Sequence, residues 1–311
     1  MTEKPDDIAQ GDIPQDIPYD RQPCKAGEVV EASPLVRRLI APNGGPFTFT
    51  GTCSYLVGRG HVAVIDPGPD DAAHIAALMQ ATQGETIAHI LVTHTHRDHS
   101  PGARRLRALT GAPILGCKPH ATIEHAPSGR LDASHDLDHD PDHVMEDGET
   151  LQGDGYDLTA VHTPGHASNH LCFAFAQENA LFSGDHVMAW STTIVGPPDG
   201  HMSDYMASLE KLRARAEATY WPGHGGPVRD PQRFLRALVG HRRYRESAIV
   251  TAIDAGLDTI PAIVTKIYDG LDPRLTGAAS LSVLAHLEDL VARGVVDAGG
   301  PATLTAHYLR R

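Results

Sequence analysis

The stretch LVTHTHRDHS, residues 91–100, sets three histidines and an aspartate within six positions. Two readings compete: a polar loop in a chain that holds 20 histidines, or a loop built to bind metal. Side chains two residues apart in extended backbone point to the same side, so His94 and His96 can converge on one ion. Asp98 and His99 lie just beyond, where the chain turns, and can serve a second ion nearby. Imidazole and carboxylate together suit Zn2+, and also iron or manganese. An isolated histidine is usually a surface or core-edge residue. Four metal-capable groups at the end of one apolar run are harder to explain that way.

More donors of the same kind recur downstream. VHTPGHASNH, 161–170, holds His162, His166 and His170, with a proline–glycine turn presenting His166. LFSGDH, 181–186, ends an apolar run at Asp185 and His186, and WPGHGG, 221–226, sets His224 between glycines. Upstream, HVAVIDPG brings Asp66 to the end of another apolar run.

The elements around these residues read as an α/β layout. FTFTGTCSYLVG and HVAVIDPG are strands joined by a glycine turn; residues 70–84 and 100–111 are helices; 88–94 is a buried strand, and APILGC is another. After 150 come strands in YDLTAVHT, NHLCFAFAQ and NALFSGD, then an amphipathic helix over 205–218. ATYWPGHGGPV reads as a strand running into a glycine-rich loop. The chemistry-bearing residues thus sit where strands end. From 229 onward the pattern is mostly helical, with Gly240 as a candidate break, and closes on turns and a short hairpin, a winged-helix pattern. The expected division is an N-terminal extension (1–28) lying loosely on the surface, a main domain (29–228) and a small helical domain (229–311).

Composition narrows the partners. The 311 residues carry a formal charge of −13, from 39 acids against 26 bases, which argues against nonspecific binding to a phosphate backbone. The segment 229–311 is nearly neutral, so the excess lies upstream, much of it in DASHDLDHDPDHVMEDGE, 132–149, read as a solvated acidic loop. Cys24, Cys53, Cys117 and Cys172 are far apart, which fits a reducing compartment. The N-terminus shows no apolar signal core and no run of 18 apolar residues occurs, so a cytoplasmic protein without a membrane span is expected.

Taken together, THTHRDH at 93–99, HTPGH at 162–166, SGD at 183–185 and PGHG at 222–225 resemble the metallo-beta-lactamase fold superfamily of metallohydrolases, in order and over roughly 30–228. GTCSYLVG and VIDPG, within 51–68, resemble its opening strands. The resemblance implies an αββα sandwich, with His94, His96 and His166 on one metal, Asp98, His99 and His224 on the other, and Asp185 bridging them. It implies water activation between two divalent cations, with Asp98 and Asp185 as the catalytic carboxylates. Asp66 would support the metal loop; His162, His170 and His186 would stand behind the ligands or face substrate.

The pattern GDHVMAWSTTIVGPPDGHMSDYMASLEKL, 184–212, with the appended helical domain, resembles the beta-lactamase-like protein 2 group, some of whose members are single-strand-selective endoribonucleases. Two features depart from it: Ser100-Pro101 after the metal loop, and the acidic, histidine-rich segment 118–149. The fold core also resembles glyoxalase II-type thioester hydrolases and lactonases. A small ester or thioester substrate is therefore the expectation, with RNA as the alternative partner and HRRYRES, 241–247, as its basic-aromatic cluster. A winged-helix DNA-binding protein that senses a ligand is a third reading, and a homodimer is open. Arg97 is expected to make an outward salt bridge, or else to meet an anionic substrate.

Overall fold

A computed structural model describes residues 17–21, 23–121 and 135–311. Among the described residues the chain forms an αββα sandwich followed by a small winged-helix-like unit. The first sheet has seven strands in sequence order: β1 (Val30–Ser33), β2 (Val36–Ile40), β3 (Cys53–Val57), β4 (His61–Ile65), β5 (Thr86–Val92), β6 (Ile114–Gly116) and β7 (His143–Val144). Its first four strands pair antiparallel, and β4 through β7 run parallel. The parallel pairs need crossovers. Helix α1 (Ala72–Ala81), capped by the Asp71 carboxylate, joins β4 to β5, and α2 (Gly102–Thr110) joins β5 to β6.

The second sheet runs β12 (Thr219–Pro222), β11 (Ala180–Gly184), β10 (Leu171–Phe175), β9 (Asp157–His162) and β8 (Thr150–Gln152), with only the β11–β12 pair parallel. Alternation along one strand shows how the layers form. In β10, Leu171, Phe173 and Phe175 enter the core between the sheets, with Tyr55, Phe182 and Trp221. Cys172 and Ala174 point the other way, into a second core under α3 (Met202–Arg213), with Tyr205, Leu209 and Leu212. A strand buried on both faces reads as the unbroken apolar run LCFAF. No disulfide links Cys24, Cys53, Cys117 or Cys172.

Three expectations need correction. Positions 1–16 of the N-terminal extension lie outside the described residues, but residues 17–21 are not loose. Ile17 and Tyr19 pack on the second core, Tyr19 meets the Phe234 ring edge-on at 6.0 Å, and Asp20 N donates to Ala189 O. Gly240 does not break its helix: α4 (Pro231–Asp254) is continuous over 24 residues. A helical glycine costs about 1 kcal/mol against alanine, and the buried Phe234, Leu235, Leu238 and Val239 outweigh that. The acidic stretch 132–149 is not a uniformly solvated loop. Its first three residues lie outside the described residues, but His135, Asp136 and His139 are buried. The Asp136 carboxylate is taken inside by two donors, Ser100 Oγ at 2.9 Å and Arg104 Nη1 at 2.6 Å.

The last unit packs α5 (Ile260–Ile267) and α6 (Thr276–Ala292) against the C-terminal half of α4, with a ribbon of β13 (Val296–Asp297) and β14 (Leu309–Arg310). The segment Pro273–Ala292, which includes α6, is long and apolar enough to cross a membrane by composition. In this fold Leu281, Val283, Leu284, Leu287 and Leu290 of α6 are buried.

Candidate metal centre

The loop after β5 is held by one carboxylate. Asp66 follows β4, and its N–H donates to Leu91 O. Its Oδ1 accepts from Thr93 N at 2.8 Å, and its Oδ2 from Thr93 Oγ1 at 2.7 Å. Oδ2 also lies 2.9 Å from His99 Nδ1, which turns His99 Nε2 toward the cleft. Asp66 adopts a left-handed φ of 49°, a conformation Asp tolerates better than most residues. It therefore stands behind the loop rather than in the cleft.

Four elements bring the donors together. His94, His96, His166 and Asp185 form one group, and Asp98, His99 and His224 form a second. His96 Nδ1 lies 3.0 Å from both His94 Nε2 and His166 Nε2. Asp98 Oδ2 lies 3.3 Å from His99 Nε2 and 3.2 Å from His224 Nε2. Asp185 faces both groups: Oδ2 is 3.6 Å from His166 and 3.3 Å from His224, and Oδ1 is 3.5 Å from His99. The glycine before His224 makes this approach possible. A β-carbon on Gly223 would lie 2.4 Å from Asp185 Oδ1.

These donors fit divalent cations better than they fit one another. A ring nitrogen offers one proton or one lone pair, so His96 Nδ1 cannot satisfy two imidazoles. His99 Nε2 and Asp185 Oδ1 are buried with no hydrogen-bond partner among the described residues. Donors bound at 2.0–2.2 Å around a tetrahedral ion sit roughly 3.3–3.6 Å apart, close to the spacing seen. The protonation states agree. Burial, reinforced by neighbouring imidazoles, holds His94 and His96 well below the usual histidine range, so both are neutral. Burial would also depress His99 and His224, but the carboxylates around them win. His99 rises well above its usual value and His224 to about 10.

The remaining residues separate by position. His170 is buried behind the cluster, its Nδ1 2.8 Å from Thr163 Oγ1 and its Nε2 accepting from Asp185 N at 3.1 Å, so it positions Asp185. His186 is buried beside the Tyr205 ring, neither ring nitrogen has a hydrogen-bond partner among the described residues, and burial lowers its pKa to about 3. His162 lies away from the cleft, with Nε2 3.2 Å from Met145 O. Arg97 is exposed and makes no salt bridge among the described residues. The loop 192–195 is tied down at several points: His166 Nδ1 lies 2.7 Å from Ile194 O, Thr193 Oγ1 donates to Asp185 O, and Arg242 of α4 donates to Thr193 O. One group escaped sequence reasoning altogether: His120, His135 and Asp199 also bring metal-capable atoms within 4.8 Å of one another.

The family model of the metallo-beta-lactamase superfamily matches residues 47–224, more than half of the chain. This chain belongs to the metallo-beta-lactamase superfamily. It is a metal-dependent hydrolase of that superfamily, and residues 259–301 match the beta-lactamase associated winged helix domain. The lactamase-like protein aptB of Emericella nidulans is 30% identical over 73% of this chain and 68% of its own length. An atrochrysone carboxyl ACP thioesterase of Claviceps purpurea is 28% identical over 78% of this chain and 74% of its own length. A solved beta-lactamase domain protein from Burkholderia ambifaria shares the fold at a TM-score of 0.74, with 21% identity, 94% of this chain and 98% of that one.

Proposed function

We propose that the two donor groups hold a pair of divalent cations, Zn2+ in the first instance, bridged by Asp185, and that the enzyme hydrolyses a small ester or thioester. The observation that carries this reading is Asp185 itself, whose two oxygens face histidines of both groups. Divalent cations bound there would lower the pKa of water toward neutrality and polarise a substrate carbonyl. The protein's own groups do the rest. The Asp98 side chain is 26% exposed, against 0–9% for His99, His224 and Asp185. It is the carboxylate at the mouth of the cleft, steadied by Thr52 Oγ1 at 3.0 Å, and so placed to orient the attacking water.

An apolar rim supports an acyl substrate. Phe49 stacks on Trp190 at 5.1 Å, and a β-carbon on Gly225, next to His224, would lie 3.3 Å from Trp190. The thioesterase named among the relatives supports a thioester. The basic-aromatic cluster favours RNA less than its sequence implied. Arg242 is buried on Thr193, and Arg245 donates to Ile267 O and lies over the Tyr268 ring. Arg243 is the arginine of that run that stays exposed.

The test is a parallel screen of an acyl thioester, a lactone and single-stranded RNA with the metal-loaded enzyme and its Asp185→Asn variant. The thioester should turn over, and Asp185→Asn should lower the rate more than about 100-fold. Cleavage of RNA with the thioester untouched, or an unchanged rate in the variant, would refute the proposal.

A further inference from the structure

Helix α4 serves mainly to fill cores, yet one of its side chains reaches toward the metal centre. Arg242 lies near the middle of the helix and is 3% exposed. It makes no salt bridge among the described residues, and its Nε is buried with no hydrogen-bond partner among them. A guanidinium taken out of water without a carboxylate is costly, and an apolar side chain of similar length would fill the space without that cost. Packing alone therefore does not account for the charge. What the charge meets is a backbone carbonyl and a ring. Arg242 Nη2 donates to Thr193 O, and the guanidinium lies over the Tyr205 ring of α3, 5.1 Å from its centroid.

Both contacts lead to donors of the metal centre. Thr193 Oγ1 lies 2.7 Å from Asp185 O and 3.1 Å from His186 O, and shares its proton between them. Tyr205 OH donates to His186 O at 3.1 Å. These bonds fix the backbone just past β11, from which the Asp185 side chain enters the cleft. One residue on from Thr193, Ile194 O accepts from His166 Nδ1 at 2.7 Å. A neutral ring that donates from Nδ1 keeps its lone pair on Nε2, the atom 3.6 Å from Asp185 Oδ2. The turn that carries His166 rests on the same support. A β-carbon on Gly165 would lie 2.3 Å from Tyr205 Cα, and His201 N donates to Gly165 O at 3.0 Å.

We propose that Arg242 is a positioning residue of the metal centre. By fixing the Thr193–Ile194 peptide it sets Asp185 in place and keeps His166 in the tautomer that offers Nε2. Outer partners of this kind orient metal ligands and tune their affinity. Arginine suits the task, because its planar fork donates in a fixed direction while lying flat on a ring. Its own place is set from both ends of α4, by Phe234 and Leu238 in the core beneath the second sheet and by Ile249 and Ile253 in the last core. The C-terminal unit thereby bears on the metal centre through a residue that is not itself a ligand.

This role rests on the proposed reading of His166 and Asp185 as metal ligands, so Asp185→Asn is measured alongside. Zn2+ affinity of the full-length protein is read by competition with a chromophoric chelator at pH 7.5, and visible absorption is recorded after loading with Co2+. The variants are Arg242→Met, Arg242→Gln, Thr193→Val, Arg242→Met with Thr193→Val, and Leu238→Ala, each shown by near-ultraviolet circular dichroism to fold without metal. Arg242→Met and Thr193→Val should each weaken Zn2+ binding about tenfold and change the Co2+ bands. The double variant should also be about tenfold weaker rather than a hundredfold, because both side chains act through one loop. Leu238→Ala, a cavity in the same helix, should lower the unfolding midpoint and leave affinity and bands unchanged. Arg242→Gln is expected to match Arg242→Met, and decides the matter should Arg242→Met fail to fold. Wild-type affinity and bands in a folded Arg242 variant, with binding weakened in Asp185→Asn, overturn the role of Arg242 and spare the metal centre. A double variant about a hundredfold weaker, or Leu238→Ala as weak as Arg242→Met, overturns it too. If Asp185→Asn binds as the wild type does while Arg242→Met is weakened, the two-cation reading fails and Arg242 acts through His166 alone; if neither is weakened, both fall.

Discussion

Asp66→Asn changes one atom that faces the cluster while leaving the backbone at ease, since Asn tolerates a left-handed φ as Asp does. The amide oxygen can keep the bond from Thr93 N. The amide nitrogen would replace Oδ2, the acceptor 2.9 Å from His99 Nδ1. Two donors cannot face each other, so Nδ1 must give up its proton and accept. The neutral ring then carries its hydrogen on Nε2, the atom that faces Asp98 and Asp185. A cation would have to displace that hydrogen. Losing a charge-assisted bond costs about 1.5–3 kcal/mol, or roughly 10–150-fold in affinity at 1.4 kcal/mol per decade. Zn2+ affinity, read by competition with a chromophoric chelator at pH 7.5, should weaken by that factor, with the apo variant still folded. A shift under about threefold would refute the claim that Asp66 sets the His99 tautomer.

Three further outcomes are expected. Burial lowers His74 from 6.5 to about 4. Its neutral form is the folded form, so its contribution is full above pH 6.5 and declines as pH falls toward 4; urea unfolding at pH 7.5 and 4.5 should differ by about 2.5 kcal/mol less in His74→Gln than in the wild type, and an identical difference would exclude the effect. Gly223→Ala puts a methyl 2.4 Å from Asp185 Oδ1 and 2.7 Å from His99 Cε1; it should cost about 1–3 kcal/mol of stability and lower turnover more than tenfold, whereas wild-type kinetics would mean the loop yields freely. Arg97→Ala should raise KM for an anionic thioester about fivefold, on the order of 1 kcal/mol, without changing KM for a neutral one; equal effects on both would show that Arg97 does not meet the anion.

The donors legible in the sequence are those that strand geometry delivers in short motifs. His94 to His99 are contiguous, and His166, Asp185 and His224 each close an apolar run or sit in a glycine turn. The structure brings all seven into two adjoining groups. His120, His135 and Asp199 carried no such mark. They lie 15 and 64 residues apart, in loops without periodicity, and meet only because of the chain's path. The same is true of Ser100. It reads as a departure from the usual small residue after the metal loop, yet its hydroxyl is what receives Asp136. Burial of an acidic stretch depends on donors elsewhere in the chain, so local composition could not show that residues 135–139 turn inward. Helix α4 shows the opposite bias: Gly240 invited a break, but a β-carbon there would meet nothing within 4 Å, and packing at both ends keeps the helix whole.

That unbroken helix bears on how such proteins can be recombined. Its first half fills the core beneath the second sheet through Phe234, Leu235 and Leu238, and its second half fills the last core through Ile249 and Ile253. At 24 residues it is a rod of about 36 Å with no joint, and Arg242, near its middle, holds the loop that braces Asp185. A crossover with a relative placed just ahead of the helix would exchange part of the hydrolase core along with the C-terminal unit. One placed past Arg242 would keep the brace and transplant only the part beyond it, which makes the middle of a helix, rather than the loop before it, the seam along which chimaeras of this chain should be cut.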